Sequence, residues 1–328
     1  MKPTSLVLAA AAASVAAMQP YAAEHTIRLG VNDPIDTPYV QALTDFERLV
    51  EEGTDGRVDV QVFPSAQLGS IPEMFENVQA GAQEMSTIAP AYASQFFPAF
   101  DVLELPYLVS NLDEGGALVT SEPFKNLLSE AEGVLGVKLV GALPFGFRNV
   151  ANSVRPVEGK ADLAGMKLRT QSSPVHLAAF QAMGANPVAI GWDETYQAVQ
   201  TGVVDGLENS LSILISNSFP EVAPHVSTTR HVFGVMLVTM NEGAFDRLSP
   251  EDQQAVLNAF AEAEQLNLQY LAEAEASALD TLRGMGAQVV ELTPEAIAEL
   301  QASVQSIHDE YGPRFEPHYS ALRDVVDQ

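Results

Sequence analysis

The chain has 328 residues, 47% of them hydrophobic and 18% charged, which is enough apolar material for one large or two medium domains. Lysine and arginine number 16 against 43 acids, a net charge of −27, and this excludes a nucleic-acid partner because phosphate binding needs a basic face. There is no cysteine, so disulfides, thiol nucleophiles and thiolate metal sites are excluded as well.

Residues 1–23 read as a secretory signal peptide. Lys2 gives a positive start, Ser5 to Ala17 is an Ala-rich run too short for a membrane span, and small residues lead to Ala22-Ala23. Cleavage after Ala23 puts Tyr21 where a small residue is preferred. Cleavage after Ala17 fits the small-x-small rule but leaves a longer tail. The expectation is export to the periplasm as a soluble monomer.

Thr26 to Val31 alternates and predicts a strand. Thr37-Pro38 is an N-cap with proline at the first helical position, and Leu43, Phe46 and Val50 form the stripe of the helix that follows. Arg57 to Phe63 predicts a second strand, parallel to the first by the β-α-β order. A helix over 72–80 and a strand over 84–88 come next, then an irregular aromatic stretch to Leu108. Helices are expected over 112–120 and 123–131, and strands over 137–143 and 148–154.

Met166 to Thr170 predicts a strand, 174–183 a helix, 186–190 a strand, 193–201 a helix and 203–207 a strand. His231 to Met240 is a long apolar strand. Ser249-Pro250-Glu251-Asp252 starts the longest helix, which Gly284 to Gly286 ends. A last helix carries the stripe Leu300, Val304, Ile307 and Tyr311. The alternation predicts an α/β protein, and the lack of a linker predicts lobes that exchange strands.

Catalytic and phosphate-binding motifs are missing: the sequence has no P-loop, no dinucleotide fingerprint, no nucleophile elbow and no His-Glu-x-x-His. The six histidines show no paired metal spacing, so no metal and no cofactor is expected. Arginine is more informative, because an acidic protein that takes an anion needs local positive charge. Arg169 lies at the C-terminal end of a strand, where open α/β folds bind ligands, and a guanidinium grips a carboxylate with two parallel hydrogen bonds. Arg148 follows a Gly-permissive bend, Phe145-Gly146-Phe147. Trp192 is the only tryptophan and stands on a strand-to-helix turn facing the same crevice. Each of the three also fits a bland role: a surface arginine paired with an acid, a turn arginine, a tryptophan packed at a lobe edge.

Six stretches in order carry a resemblance. They are Phe63-Pro64-Ser65-Ala66-Gln67-Leu68-Gly69, Leu105-Pro106-Tyr107, the run from Asp162 to Arg169, Gly184-Ala185-Asn186-Pro187, the run from Glu194 to Gly206, and Glu208-Asn209. Together they resemble the solute-binding subunit of tripartite ATP-independent periplasmic (TRAP) transporters, of the DctP type, from about Ile27 to Leu257. The resemblance implies a two-lobed periplasmic binding protein with discontinuous lobes, hinge strands and a long C-terminal helix across both. Lobe I would be 24–145 with about 235–270, and lobe II 146–234 with about 271–328.

It further implies a carboxylate-binding role for Arg169, with Arg148, Asn209, Trp192 and Asn32 near the ligand. Tyr92, Gln67, Phe147 and Tyr39 complete the expected binding set. The implied partners are a small organic acid and the small and large integral-membrane subunits of a transporter. Ala89-Pro90 stands where sialic-acid-binding members carry a glutamate, which argues against sialic acid. C4-dicarboxylates, sugar acids, hydroxy or keto acids and zwitterions such as ectoine stay open. The rival readings are a ligand-presenting sensor module and a periplasmic lyase or hydrolase.

Overall fold

A computed structural model describes residues 23–327, so the export segment expected at 1–23 lies, but for its last residue, outside the described residues. Nine strands form one sheet: β1 (His25–Gly30), β2 (Val58–Phe63), β3 (Met85–Ile88), β4 (Lys138–Asn152), β5 (Lys167–Thr170), β6 (Asn186–Ala189), β7 (Gly206–Ser210), β8 (His225–Met240) and β9 (Gln288–Val290). Their order is β2-β1-β3-β8-β4-β7-β5-β6, with β9 beside β8.

Two parallel sets stand at the ends of this order. β1 pairs in parallel with β2 and β3, and α1 (Pro38–Gly53) connects β1 to β2, as the β-α-β reading expects. β5 pairs in parallel with β6 and β7. Two long antiparallel strands, β4 and β8, join the sets. The C-terminal end of β8 pairs with β3 through Leu237–Met240, whereas the C-terminal end of β4 pairs with β7 through Arg148–Asn152. Each long strand therefore belongs to both halves of the molecule. This is the physical form of two discontinuous lobes joined by hinge strands.

The expected break between strands 137–143 and 148–154 is not there. β4 runs through Phe145-Gly146-Phe147 as one strand of 15 residues. Its pairing with β8 is interrupted at Leu139/Gly141, Pro144/Gly146 and Arg148/Val150, and Gly146 takes φ +98°. Glycine there bends the strand without ending it. β8 also begins earlier than predicted, at His225, because its polar first half (His-Val-Ser-Thr-Thr-Arg) hides the pattern. β7 begins at Gly206, not Val203. The Val203 and Val204 amides donate back to Ala198 and close a helix end instead.

α2 (Pro174–Ala182), α3 (Trp192–Gln200) and α4 (Leu211–Ser216) flank the second parallel set. The longest helix, α5 (Pro250–Gly284), starts as predicted, with the Ser249 hydroxyl accepting from the Asp252 amide at 3.1 Å. It packs on α1, on α4 and on β4, so it crosses both halves. The expected last helix is divided into Pro294–Ser303 and Gln305–Tyr311, and a further helix that the sequence reading did not expect, His318–Val326, follows them. Leu300, Val304 and Ile307 are all buried across the first break, so the apolar period conceals it. No helix of the described residues is long and apolar enough to cross a membrane.

Candidate functional site

Where the two halves meet, two arginines are buried with very different company. Arg148, on β4, is 3% exposed and faces Glu208 of β7, which is wholly buried. Its Nε donates to Glu208 Oε2 at 2.5 Å, and its Nη2 donates to Oε1 at 2.8 Å and to the Glu208 carbonyl at 2.9 Å. This is a bidentate pair with a third bond to the backbone.

The same carboxylate meets two histidines. His231 Nε2 lies 3.1 Å from Glu208 Oε2. His176 Nε2, from α2, lies 3.3 Å away without hydrogen-bond geometry, while His176 Nδ1 is 2.9 Å from Glu104 Oε2. Burial works against the charge of His176, yet Glu208 and Glu104 outweigh it and raise the imidazole to about 9. Burial dominates at His231 and pushes it down to about 4. Burial also opposes ionisation of Glu208, but Arg148 and His176 prevail and hold its carboxyl well below the usual range. One histidine is charged and its neighbour neutral.

His176, Glu208 and His231 offer ligand atoms within 4.8 Å of one another, a grouping that no sequence spacing announced. Arg148 already holds both oxygens of that carboxylate, so a metal ion there would have to stand beside a guanidinium. The donor set fits the ion-pair network better than a metal.

Arg169 sits at the end of β5, 1% exposed, and makes no ion pair among the described residues. Its Nε donates to the Ile190 carbonyl at 2.9 Å and its Nη2 to the Tyr92 hydroxyl at 3.3 Å. The guanidinium carbon stands 5.6 Å from the Trp192 ring centroid, within cation–π range. Burial lowers its pKa, the mark of a desolvated cation.

Both arginines line one narrow cavity of about 20 Å³, room for one or two water molecules. Of the residues singled out in the sequence, Arg169, Arg148, Asn209, Trp192 and Tyr92 come together in its wall. Asn32 lines a more open depression beside it, which shares the half-buried Trp192. Gln67 is exposed, and Tyr39 and Phe147 are fully buried; none of the three lines either space. Phe147 instead packs at a tilt against Phe233 and lies under the Arg230 guanidinium. The bulge in β4 gives the cavity to Phe145, whose ring lies close against Gly234, where a Cβ would stand 2.1 Å from it.

Sequence reasoning missed the other lining residues, among them Asp33, Gln171 and Phe145 and the apolar Ile71, Ile213 and Met236. Gln171 had a signal, since it is two residues past Arg169 and strand parity puts both on one face. Asp33-Pro34 had only the signature of a turn.

Residues 29–313 match the family described as bacterial extracellular solute-binding protein, family 7 (DctP). The C4-dicarboxylate-binding periplasmic protein DctP of Rhodobacter capsulatus is 33% identical over 286 residues, 85% of this chain and 84% of its own length. The sugar acid binding protein DctPAm of Advenella mimigardefordensis, solved with galactonate, superposes with a TM-score of 0.89 at 25% identity, covering 93% of this chain and 99% of that one. A TRAP periplasmic solute binding protein of Polaromonas sp. JS666, bound to D-erythronate, gives 0.86 at 27%, covering 91% and 98%. The chain belongs to the DctP family of TRAP solute-binding proteins, and it is therefore a transport component and not an enzyme.

Proposed function

We propose that the protein captures a small organic acid in the periplasm and delivers it to the small and large integral-membrane subunits of a TRAP transporter. The observation that carries this reading is Arg169: a buried cation at the end of β5, the middle strand of the second parallel set, with no ion pair among the described residues. A desolvated charge is costly unless it is paired, and an incoming carboxylate supplies the pair. The ligands of the relatives, a C4-dicarboxylate, galactonate and erythronate, are all carboxylates.

In this mechanism Arg169 takes the carboxylate bidentately while Trp192 covers the face of the ligand. Asn209 accepts from the Ser210 amide through its side-chain oxygen, so its NH2 group is what it offers the acid. Arg148, already committed to Glu208, contributes field more than direct bonds. The cavity is too narrow for an acid of eight or more heavy atoms, so entry requires the lobes to part. The lobes are 24–145 with about 235–270 and 146–234 with about 271–328, and the bend at Gly146 is the hinge. Closure then buries the charge pair, where it is worth most.

The test is calorimetric titration of the purified, ligand-stripped protein with a panel of small acids, repeated on Arg169→Ala. Tight binding that this substitution abolishes is the expected result. Unchanged affinity in the variant would sink the assignment.

A further inference from the structure

The cleft holds a buried acid as well as a buried base. Asp33, in the turn after β1, is 3% exposed and lines the same narrow cavity as Arg169. Its Oδ2 accepts from the Tyr39 hydroxyl at 2.7 Å and its Oδ1 from the Asn217 amide at 3.3 Å. Neither partner is a cation, and Asp33 makes no ion pair among the described residues. A carboxyl oxygen accepts more than one hydrogen bond, so each still has acceptor capacity toward the cavity.

The charges around the cleft decide what it can accept. Arg148 and His176 face Glu208 and Glu104, two cations against two acids, with Asp101 adding a further acid beside Ser173. Arg169 remains, and one ligand carboxylate neutralises it. A second carboxylate would have no cation left and would meet Asp33 in the wall of the same cavity. Two close carboxylates repel, and at least one of them must take up a proton. A hydroxyl has the opposite effect, because it donates to Asp33 what a carboxylate cannot.

Building on the carboxylate site at Arg169, we propose that Asp33 is the specificity-determining residue of the cleft and selects a hydroxylated monocarboxylate over a dicarboxylate. The carboxylate sits on Arg169 and a hydroxyl further along the chain donates to Asp33. Tyr39 does not touch the ligand; its hydroxyl holds the Asp33 carboxyl in place.

The experiment is isothermal titration of the full mature chain with hydroxy monocarboxylates (D-glycerate, D-erythronate, galactonate) and dicarboxylates (succinate, malate), on wild type, Asp33→Asn and Arg169→Ala. Erythronate and succinate are the decisive pair, since both have four carbons. The best monocarboxylate is expected to bind about 30-fold or more tighter than the best dicarboxylate, and Asp33→Asn to shrink that ratio to about 3-fold or less, mainly by strengthening the dicarboxylate. Thermal melting of Asp33→Asn checks that it folds, and the wild-type ratio tests the proposal without any variant. A dicarboxylate binding as tightly as the best hydroxy acid, or a ratio untouched by Asp33→Asn, overturns the role of Asp33. If those ligands still depend on Arg169, the carboxylate site survives. If no acid of the panel binds, both fall.

Discussion

The two sides of the cleft put the same residue type to opposite uses. Around Arg148 the charges find partners inside the protein: Glu208 takes one edge of the guanidinium with both its oxygens, His231 leans on the same carboxylate, and His176 bridges toward Glu104. Around Arg169, about as deeply buried, the direct contacts among the described residues are a carbonyl, a phenol and an indole face, with no ion pair. The difference teaches that burial of a charge does not by itself mark a binding residue. A buried charge already neutralised is scaffold, and a buried charge left short of a counter-ion is where a ligand gains most.

The strongest way to break this comparison is Glu208→Ala. It strands Arg148 and deprives His176 of a partner, and a loss of about 3–5 kcal/mol in unfolding free energy is expected from denaturant melts. A loss below about 1 kcal/mol would mean that the network is not structural. Arg169→Ala should do the reverse. Ligand affinity should fall about 100-fold or more, roughly 2.7 kcal/mol, while stability without ligand stays level or rises, because a desolvated cation is removed. If Arg169→Ala unfolded the protein as readily as Glu208→Ala, the two sides would not differ in kind.

The pH dependence sharpens the contrast further. His176 is raised to about 9 in the fold, so the stability it contributes is full below its unfolded value near 6.5 and is lost as pH climbs through about 9. His231 is lowered to about 4, so its contribution is full above about 6.5 and is lost as pH falls toward 4. Melting temperature against pH should therefore fall on both flanks. His176→Gln should flatten the alkaline limb alone and His231→Gln the acid limb alone; a single substitution that flattened both would refute the split assignment. The smallest expected effect is that of Trp192→Ala. Losing the indole beside Arg169 should weaken binding about 10-fold, with little change in melting temperature.

Much of the fold was legible because its signals are local. The Ser249-Pro250 start of α5, the Thr37-Pro38 start of α1 and the alternation of β1 each depend on a few neighbouring residues; both helix starts stand where predicted, and β1 is displaced by one residue. The boundaries that moved depended on partners far along the chain. β8 gains its early start at His225 to Ser227 by pairing with β4 and β9, and β4 survives its glycine because β8 runs alongside it. The site divides in the same way. Arg169 and Trp192 could be placed at a strand end and a helix start, whereas Phe147 was expected near the ligand and Phe145 lines the cavity, because the bulge in β4 changes which ring faces inward.

By itself the sequence determined the alternation of strands and helices, the excess of acid that makes each arginine informative, and the motif order that the DctP family match bears out. Only the tertiary structure decided which arginine is spent and which is left over. Arg148 and Glu208 are 60 residues apart, and His176 and Glu104 are 72 apart. Neither pair leaves a trace in local composition or period. The charge balance of the cleft, and the place of Asp33 within it, exist only once β1, β4, β5, β7 and β8 lie side by side, because electrostatic pairing is set by distance in space and burial, not by distance along the chain.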